Sequence, residues 1–539
     1  MAKTLGHRAL FGKGLRMSTV EERLAPYSRE EVTLVLSSLA ALLAAEDAES
    51  ADAQRAMVHS FFLESAAQVE TKIRAGCVIF HRPQVLETLK LALAHCEGDR
   101  ATEPSGAAFF EGIARILTAV TDLLAPPKPP RVGAKAGTRE RLQRHLNHLL
   151  ACEPLPPNGM RADVLRAHHL LFERAPRLAA LERIGNLAGA FHERNGVRCQ
   201  HWFSVGVHLL AKTLDYSLAT MHQHQPMVRI ASDFHTSPLE TRQIERLFAP
   251  MCMGIHRAGD RAREALAGGA ARGLGLFRRR PVLHLLEDTY VAVDPHLLAE
   301  TLASDLGGRL VSVASDHDEA RRSWTALVRD HAQRQLAPLT APKKKAELRL
   351  GRITVDWWQV RGSDALFIAV VSASLRRDFP DDDTQANANG RLLGGLLHAA
   401  RQITEITEAW RGGKIAPAQK KIGQIRRIFP LVILERDFPQ DAALHRLMAK
   451  VFREEGLMGD AKMQPLTTLE IGNLEALATM EKPPSLLTLV TKRAASPLKN
   501  QPFSAFLETE GFPTQLTSEA VIGEFEKLVK TVRKSLGIT

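Results

Sequence analysis

Apolar positions recur at three and four residues from residue 18 to residue 123, as in EEVTLVLSSLAALLAAEDA and GAAFFEGIARILTAVTDLLA, and this spacing predicts amphipathic helices throughout. The pattern stops at APPKPPRVGAKAGT, residues 125–138, which has no apolar period and carries Pro, Gly and Lys, so it reads as a linker. Helical spacing resumes from Arg139 to about Ala267, in segments such as RERLQRHLNHLLACE, with breaks at Pro154, Pro156, Pro157 and Pro226. The period then changes. After the glycines of AGGAARGLGLF, two apolar runs in PVLHLLEDTYVAVDP flank a turn at Glu287 and Asp288, which predicts a β-hairpin, and PHLLAETLASDL follows as a helix opened by Pro295. Residues 316–337 predict a long helix. The segments ELRLGR, ITVDWWQV and ALFIAVVSASL, dense in β-branched and apolar side chains, predict strands, with RGSD as a tight turn. A helix over NGRLLGGLLHAARQITEITEAWRG, a second short helix over APAQKKIGQIRRI and a strand PLVILER complete that block, and residues 441–539 return to helices with proline-containing loops.

These elements predict an α+β fold, mostly α, in a multidomain chain. A helical N-terminal domain (1–124) and the linker (125–138) are followed by a helical middle domain (139–270), an α/β domain (271–440) and a helical C-terminal region (441–539). The longest nearly apolar run, Val32 to Ala45, is interrupted by Thr33 and two serines and is shorter than the ~20 residues a bilayer span needs. The basic N-terminus has no apolar h-region, so the expectation is a cytoplasmic protein with no membrane partner. Five widely spaced cysteines without a CxxC encode neither a disulfide framework nor a zinc ribbon and are expected to be buried thiols. The His- and Cys-rich stretch 192–256 matches no finger spacing, and no Walker A loop or GxSxG is present. A net charge of +11 points to a polyanionic partner, and only 5% aromatic residues argues for a duplex backbone rather than a platform for stacked single strands.

The order helix, strands, helix, strand between Arg280 and Glu435 resembles the restriction-endonuclease-like PD-(D/E)XK superfamily, of the kind found in bacterial defence or DNA-processing systems. Active members carry an Asp and then a Glu-x-Lys on a hairpin. Here Asp356 stands at the Asp position, Ala369 where the Glu would be and Val371 where the Lys would be. A hydrolytic Mg²⁺ site needs converging carboxylates and a base near the water, and Ala369 and Val371 supply neither. Many relatives add a Glu from the preceding helix, whereas SWTALVRDHAQRQL offers Arg329 or Asp330, and a cation there would repel a metal further. The resemblance therefore implies a pseudo-nuclease with a vestigial Asp356 and no metal or cofactor. An alternative is an active Mg²⁺-dependent nuclease whose carboxylates have migrated to the following helix as Glu405 and Glu408, an i, i+3 pair near which no Lys or Tyr replaces the lost base.

Three basic clusters give the positive signal. They are Arg278, Arg279 and Arg280; Lys343, Lys344 and Lys345, within a basic stretch at 321–352; and Arg411, Lys414, Lys420, Lys421, Arg426 and Arg427, in a stretch with no acidic residue between Glu408 and Glu435. Groups of this kind neutralise phosphates without reading sequence. The expectation is a DNA-binding, catalytically inactive nuclease-fold component that prefers duplex and tolerates any sequence, with other subunits of a DNA-processing or anti-phage complex as candidate partners. A third reading is a protein-interaction scaffold with no nucleic-acid role.

Overall fold

The computed structural model describes residues 3–45, 47–73, 76–98, 106–124, 137–152, 159–181, 184–220, 225–267, 275–286, 288–340, 348–350, 353–372, 385–417, 421–435 and 442–538. The chain is mostly α with some sheet, as its periodicity predicts. Among the described residues no helix is long and apolar enough to cross a membrane. The first helical block packs Arg29–Leu42, Arg82–His95 and Ala107–Leu123 around Val32, Leu36, Leu89, Leu93, Ile113 and Leu117. The predicted hairpin forms between Val282–His284 and Thr289–Ala292, and Met227–Arg229 and Cys252–Gly254 complete a four-stranded sheet around it.

The second four-stranded sheet follows the long helix α1 (His317–Leu339). A short strand β1 (Ile353–Val355) precedes the hairpin of β2 (Trp357–Arg361) and β3 (Asp364–Val371), which turns at Gly362, where φ is +59°. Helix α2 (Gln385–Arg411) carries the chain across to β4 (Arg427–Leu434), parallel to β3. Helix α3 (Ala442–Glu454) then leads to β5 (Thr467–Glu470), parallel to β4, and α4 (Ile471–Ala478) follows at once. The order across the sheet is β5-β4-β3-β2.

Strand side chains alternate between faces, and β3 is apolar at every position after Asp364, so it is buried on both. Leu366, Ile368 and Val370 enter one core with Leu327, Val328 and Ala332 of α1 and Leu474 and Leu477 of α4. Ala365, Phe367, Ala369 and Val371 enter the other, with Leu396, Ala400 and Ile403 of α2 and Leu444 and Met448 of α3.

Two local expectations are corrected. The segment ITVDWWQV is not one strand, because alternation fails at Asp356: Val355 and Trp358 lie on the α2 side while Trp357 lies on the α1 side. APAQKKIGQIRRI is not a helix in its described residues, which hold only a 3₁₀ turn at Ile422–Gln424, and the strand opens at Arg427, three residues before PLVILER. Pairing with β3 outweighs the helical spacing there.

The hydrophobic cores also cut across the boundaries read from the sequence. One core joins Val164 and Trp202 of the middle block, Leu302, Leu327 and Ile368 of the α/β block, and Leu474 and Phe525 of the C-terminal region. The expected linker lies outside the described residues up to 136, and Thr138 already opens a helix whose Leu142 and Leu146 pack with α2 and α3; the N-terminal core continues into Leu283 and Val291 of the first sheet.

Candidate functional site

Asp356 occupies the break between β1 and β2, and its burial there (5% exposed) demands partners for both carboxylate oxygens. Oδ2 accepts from the backbone N–H of Val370 at 2.7 Å, and Oδ1 forms an ion pair with Arg329 Nε of α1 at 3.1 Å. Arg329 belongs to the α1 side of the sheet, and the Val370 N–H lies in the plane of the strands. Ala369 and Val371 point the other way, into the α2 core, at 1% and 8% exposure. Asp356 and the two positions matched to Glu-x-Lys therefore do not share a face, because the kink at Asp356 turns its side chain towards α1. Glu405 is half-buried and Glu408 exposed on α2, across the sheet from α1. Among the described residues no group of three His, Cys, Asp or Glu side chains is placed to hold a metal ion. A divalent cation does not fit at Asp356, where Arg329 already supplies the positive charge.

The basic clusters fare unequally. Arg278 is buried beside Glu300 at 3.6 Å, and Arg280 Nη1 donates to the Cys252 carbonyl at 2.9 Å, which leaves Arg279 as the exposed member of that run. Arg427 makes a bidentate pair with Asp364 at 3.0 and 2.7 Å and lies over the Phe429 ring. Arg411 pairs with Asp460. Lys414, Lys421 and Arg426 are exposed, while Lys343, Lys344, Lys345 and Lys420 lie outside the described residues. The stretch between Glu408 and Glu435 lacks acids in sequence, but Asp364 and Asp460 bring them in from elsewhere. Comparison with protein-family models, with curated proteins and with solved structures finds no match.

A buried polar network was not foreseen from the sequence. Arg166, in the helix Met160–His168, donates through Nε and Nη2 to Glu475 of α4 at 2.7 and 2.6 Å and through Nη1 to Asp163 at 2.7 Å. His331 of α1 shares Glu475 Oε1 at 2.6 Å. Burial pushes the Glu475 carboxyl up, but the Arg166 charge and the hydrogen bonds from Arg166 and His331 outweigh it and hold it at about 2. No spacing rule reaches across the 309 residues between Arg166 and Glu475. The network joins the middle block to the sheet, beside a pocket at the carboxyl ends of β4 and β5 that Arg166, Trp324 and Glu435 help to line. Because the folded carboxyl titrates below its unfolded value, its contribution is complete above about pH 4.3 and is lost as pH falls towards 2. Glu475→Gln is expected to cost about 3 kcal/mol at pH 7 and to flatten the acid limb of the melting curve. Equal melting temperatures for variant and wild type at pH 7 would refute a stabilising role.

Cys96, Cys199 and Cys252 are buried and Cys77 half-buried, all as free thiols. Burial pushes both Cys199 and Cys252 up to about 12, which leaves them protonated and unreactive at neutral pH.

Proposed function

We propose that this chain is a DNA-binding protein built on a nuclease-like sheet that does not cut, acting within a DNA-processing or defence complex. The observation that carries the reading is the Arg329–Asp356 pair. The carboxylate at the metal-binding position of the resemblance is held by a guanidinium and a backbone N–H, and the strand residues on its own face of the sheet, Ile368 and Val370, are apolar. The charge of +11 and the exposed Lys414, Lys421 and Arg426 around the entry to β4 supply affinity for a phosphate backbone in any sequence.

Incubation with linear and supercoiled duplex in Mg²⁺ or Mn²⁺ is expected to give no cleavage. Binding is expected to weaken with salt, at a log–log slope of roughly −3.6 if about four phosphates are neutralised. The triple variant Lys414→Glu, Lys421→Glu, Arg426→Glu should bind more weakly, with a slope shallower by roughly 1 for each phosphate no longer neutralised. Metal-dependent cleavage that disappears in Asp356→Ala or Glu405→Ala would replace this reading with an active nuclease.

A further inference from the structure

Arg329 is held by one end. Its Nε is buried against Asp356, yet 41% of the side chain is open to solvent, and among the described residues Asp356 is its ion-pair partner. Among the described residues no hydrogen bond engages its two Nη atoms. On α1, Arg322, Thr325 and Arg329 follow one another at i, i+3 and i+7, which puts them along one stripe of the helix. Arg322 is exposed, one turn before Thr325. Thr325 Oγ1 lies 2.7 Å from Ser372 Oγ, just past the end of β3 and on the same strand face as Val370, whose N–H holds Asp356. Two guanidinium groups therefore flank a pair of hydroxyls at the carboxyl edge of a parallel strand, the edge where open α/β sheets take ligands. Of the acids of α1, Asp318 pairs with Arg321 and Asp330 with Arg174 and Arg334, Asp316 caps the helix and senses the Arg322 charge, and Glu319 stands one turn before Arg322 with no ion pair to another described residue.

We propose that Arg329 and Arg322, with the Thr325–Ser372 hydroxyl pair between them, form a backbone-phosphate site for DNA, and that Asp356 is the positioning residue that aims Arg329. This inference rests on the DNA-binding reading and names where that binding is centred. A guanidinium held beside a buried carboxylate by an ion pair can turn its two Nη groups outward as a fork, the geometry that matches two phosphate oxygens. A fixed side chain also loses less conformational freedom on binding than a free one. The positive charge next to Asp356 then comes from the chain itself and needs no metal.

The test uses the full chain, a fluorescent 20-base-pair duplex of arbitrary sequence and a titration of KCl in EDTA. Wild type is expected to bind in EDTA, and more weakly when Mg²⁺ is added as a competing counterion. Arg329→Gln should lower affinity about tenfold with a slope shallower by roughly 1, and Arg322→Gln should lower it about threefold. Arg329→Lys keeps the charge but not the fork and should fall between wild type and Arg329→Gln. Asp356→Asn keeps the Arg329 charge but not its aim, so affinity should drop about threefold with the slope unchanged, whereas a merely structural Asp356 would leave DNA affinity in the folded variant at the wild-type level. If the Arg329 variants do not fold by circular dichroism, the surface double variant Arg322→Gln, Thr325→Ala decides. Wild-type affinity and slope in Arg322→Gln, Arg329→Gln, alongside weakened binding in the Lys414, Lys421, Arg426 triple variant, would overturn this site while leaving the DNA-binding reading in place. Affinity that requires Mg²⁺ would also overturn it. A wild-type chain that binds no duplex would remove the DNA-binding reading and this site together.

Discussion

The double variant Ala369→Glu, Val371→Lys is expected to melt roughly 5–10 °C below wild type and to gain no affinity for Mg²⁺. Both side chains enter the core between the sheet and α2 and α3, in the cluster that holds Leu396, Ile403, Leu444 and Met448. Neither position opens to water, at 1% and 8% exposure. A carboxylate and an ammonium placed there gain each other at best, and desolvating the pair costs several kcal/mol beyond what their attraction returns. The native small and branched side chains also fit a close-packed interior, so the longer replacements add steric strain. Asp356 cannot rescue them by sharing a metal, because its carboxylate turns to the opposite face. A melting temperature within about a degree of wild type would mean that this face is open to water rather than packed.

The second large effect is expected at Arg82. Its side chain is 11% exposed and makes a bidentate pair, at 2.7 and 2.9 Å, with Asp294, which is fully buried and also caps the helix Pro295–Leu302 through the Leu297 N–H. The pair ties the N-terminal helical block to the start of the α/β block. Arg82→Met leaves a buried carboxylate without its counter-ion and should cost about 3–5 kcal/mol. Burial alone would raise the Asp294 carboxyl, but the Arg82 charge and hydrogen bonds outweigh it and hold it below the usual range. In wild type this contribution is complete above the unfolded carboxyl value of about 3.9 and is lost as pH falls through the lower folded value. In Arg82→Met the burial effect is no longer outweighed, so the gap in melting temperature between variant and wild type should narrow on going from pH 7 to pH 4. Adding Asp294→Asn removes the charge and keeps a capping side chain, and should recover much of the loss. A double variant no more stable than Arg82→Met would show that packing at Arg82, not the stranded charge, sets the cost.

Periodicity along the chain was sufficient for the mostly helical composition, for the hairpin at 282–292, for helix α1, and for strand β3, helix α2 and strand β4, though not for the break at Asp356 or the segment before β4. It was sufficient because apolar spacing marks, within each segment, the face that tertiary packing will bury. That 369 and 371 are apolar was legible, but the face they enter was not, and it is the one opposite Asp356. Nor was side-chain direction at Asp356 legible. A single residue that breaks alternation reverses the faces of the residues after it, and only the packing of Val355 and Trp357, two residues apart, into different cores reveals the break. The fate of the basic clusters was also closed to sequence. Arg427 and Arg278 look like their neighbours Arg426 and Arg279, yet Asp364 and Glu300 neutralise the first two while the latter two stay exposed. Neutralisation acts over a few ångströms in space, and the partners lie 63 residues away in one case and outside the cluster in the other. The sequence by itself thus determined most of the elements. The tertiary structure decided which charges remain available, which face each strand residue enters, and which blocks share a core, because burial and ion pairing depend on distances that folding sets between segments far apart in the chain.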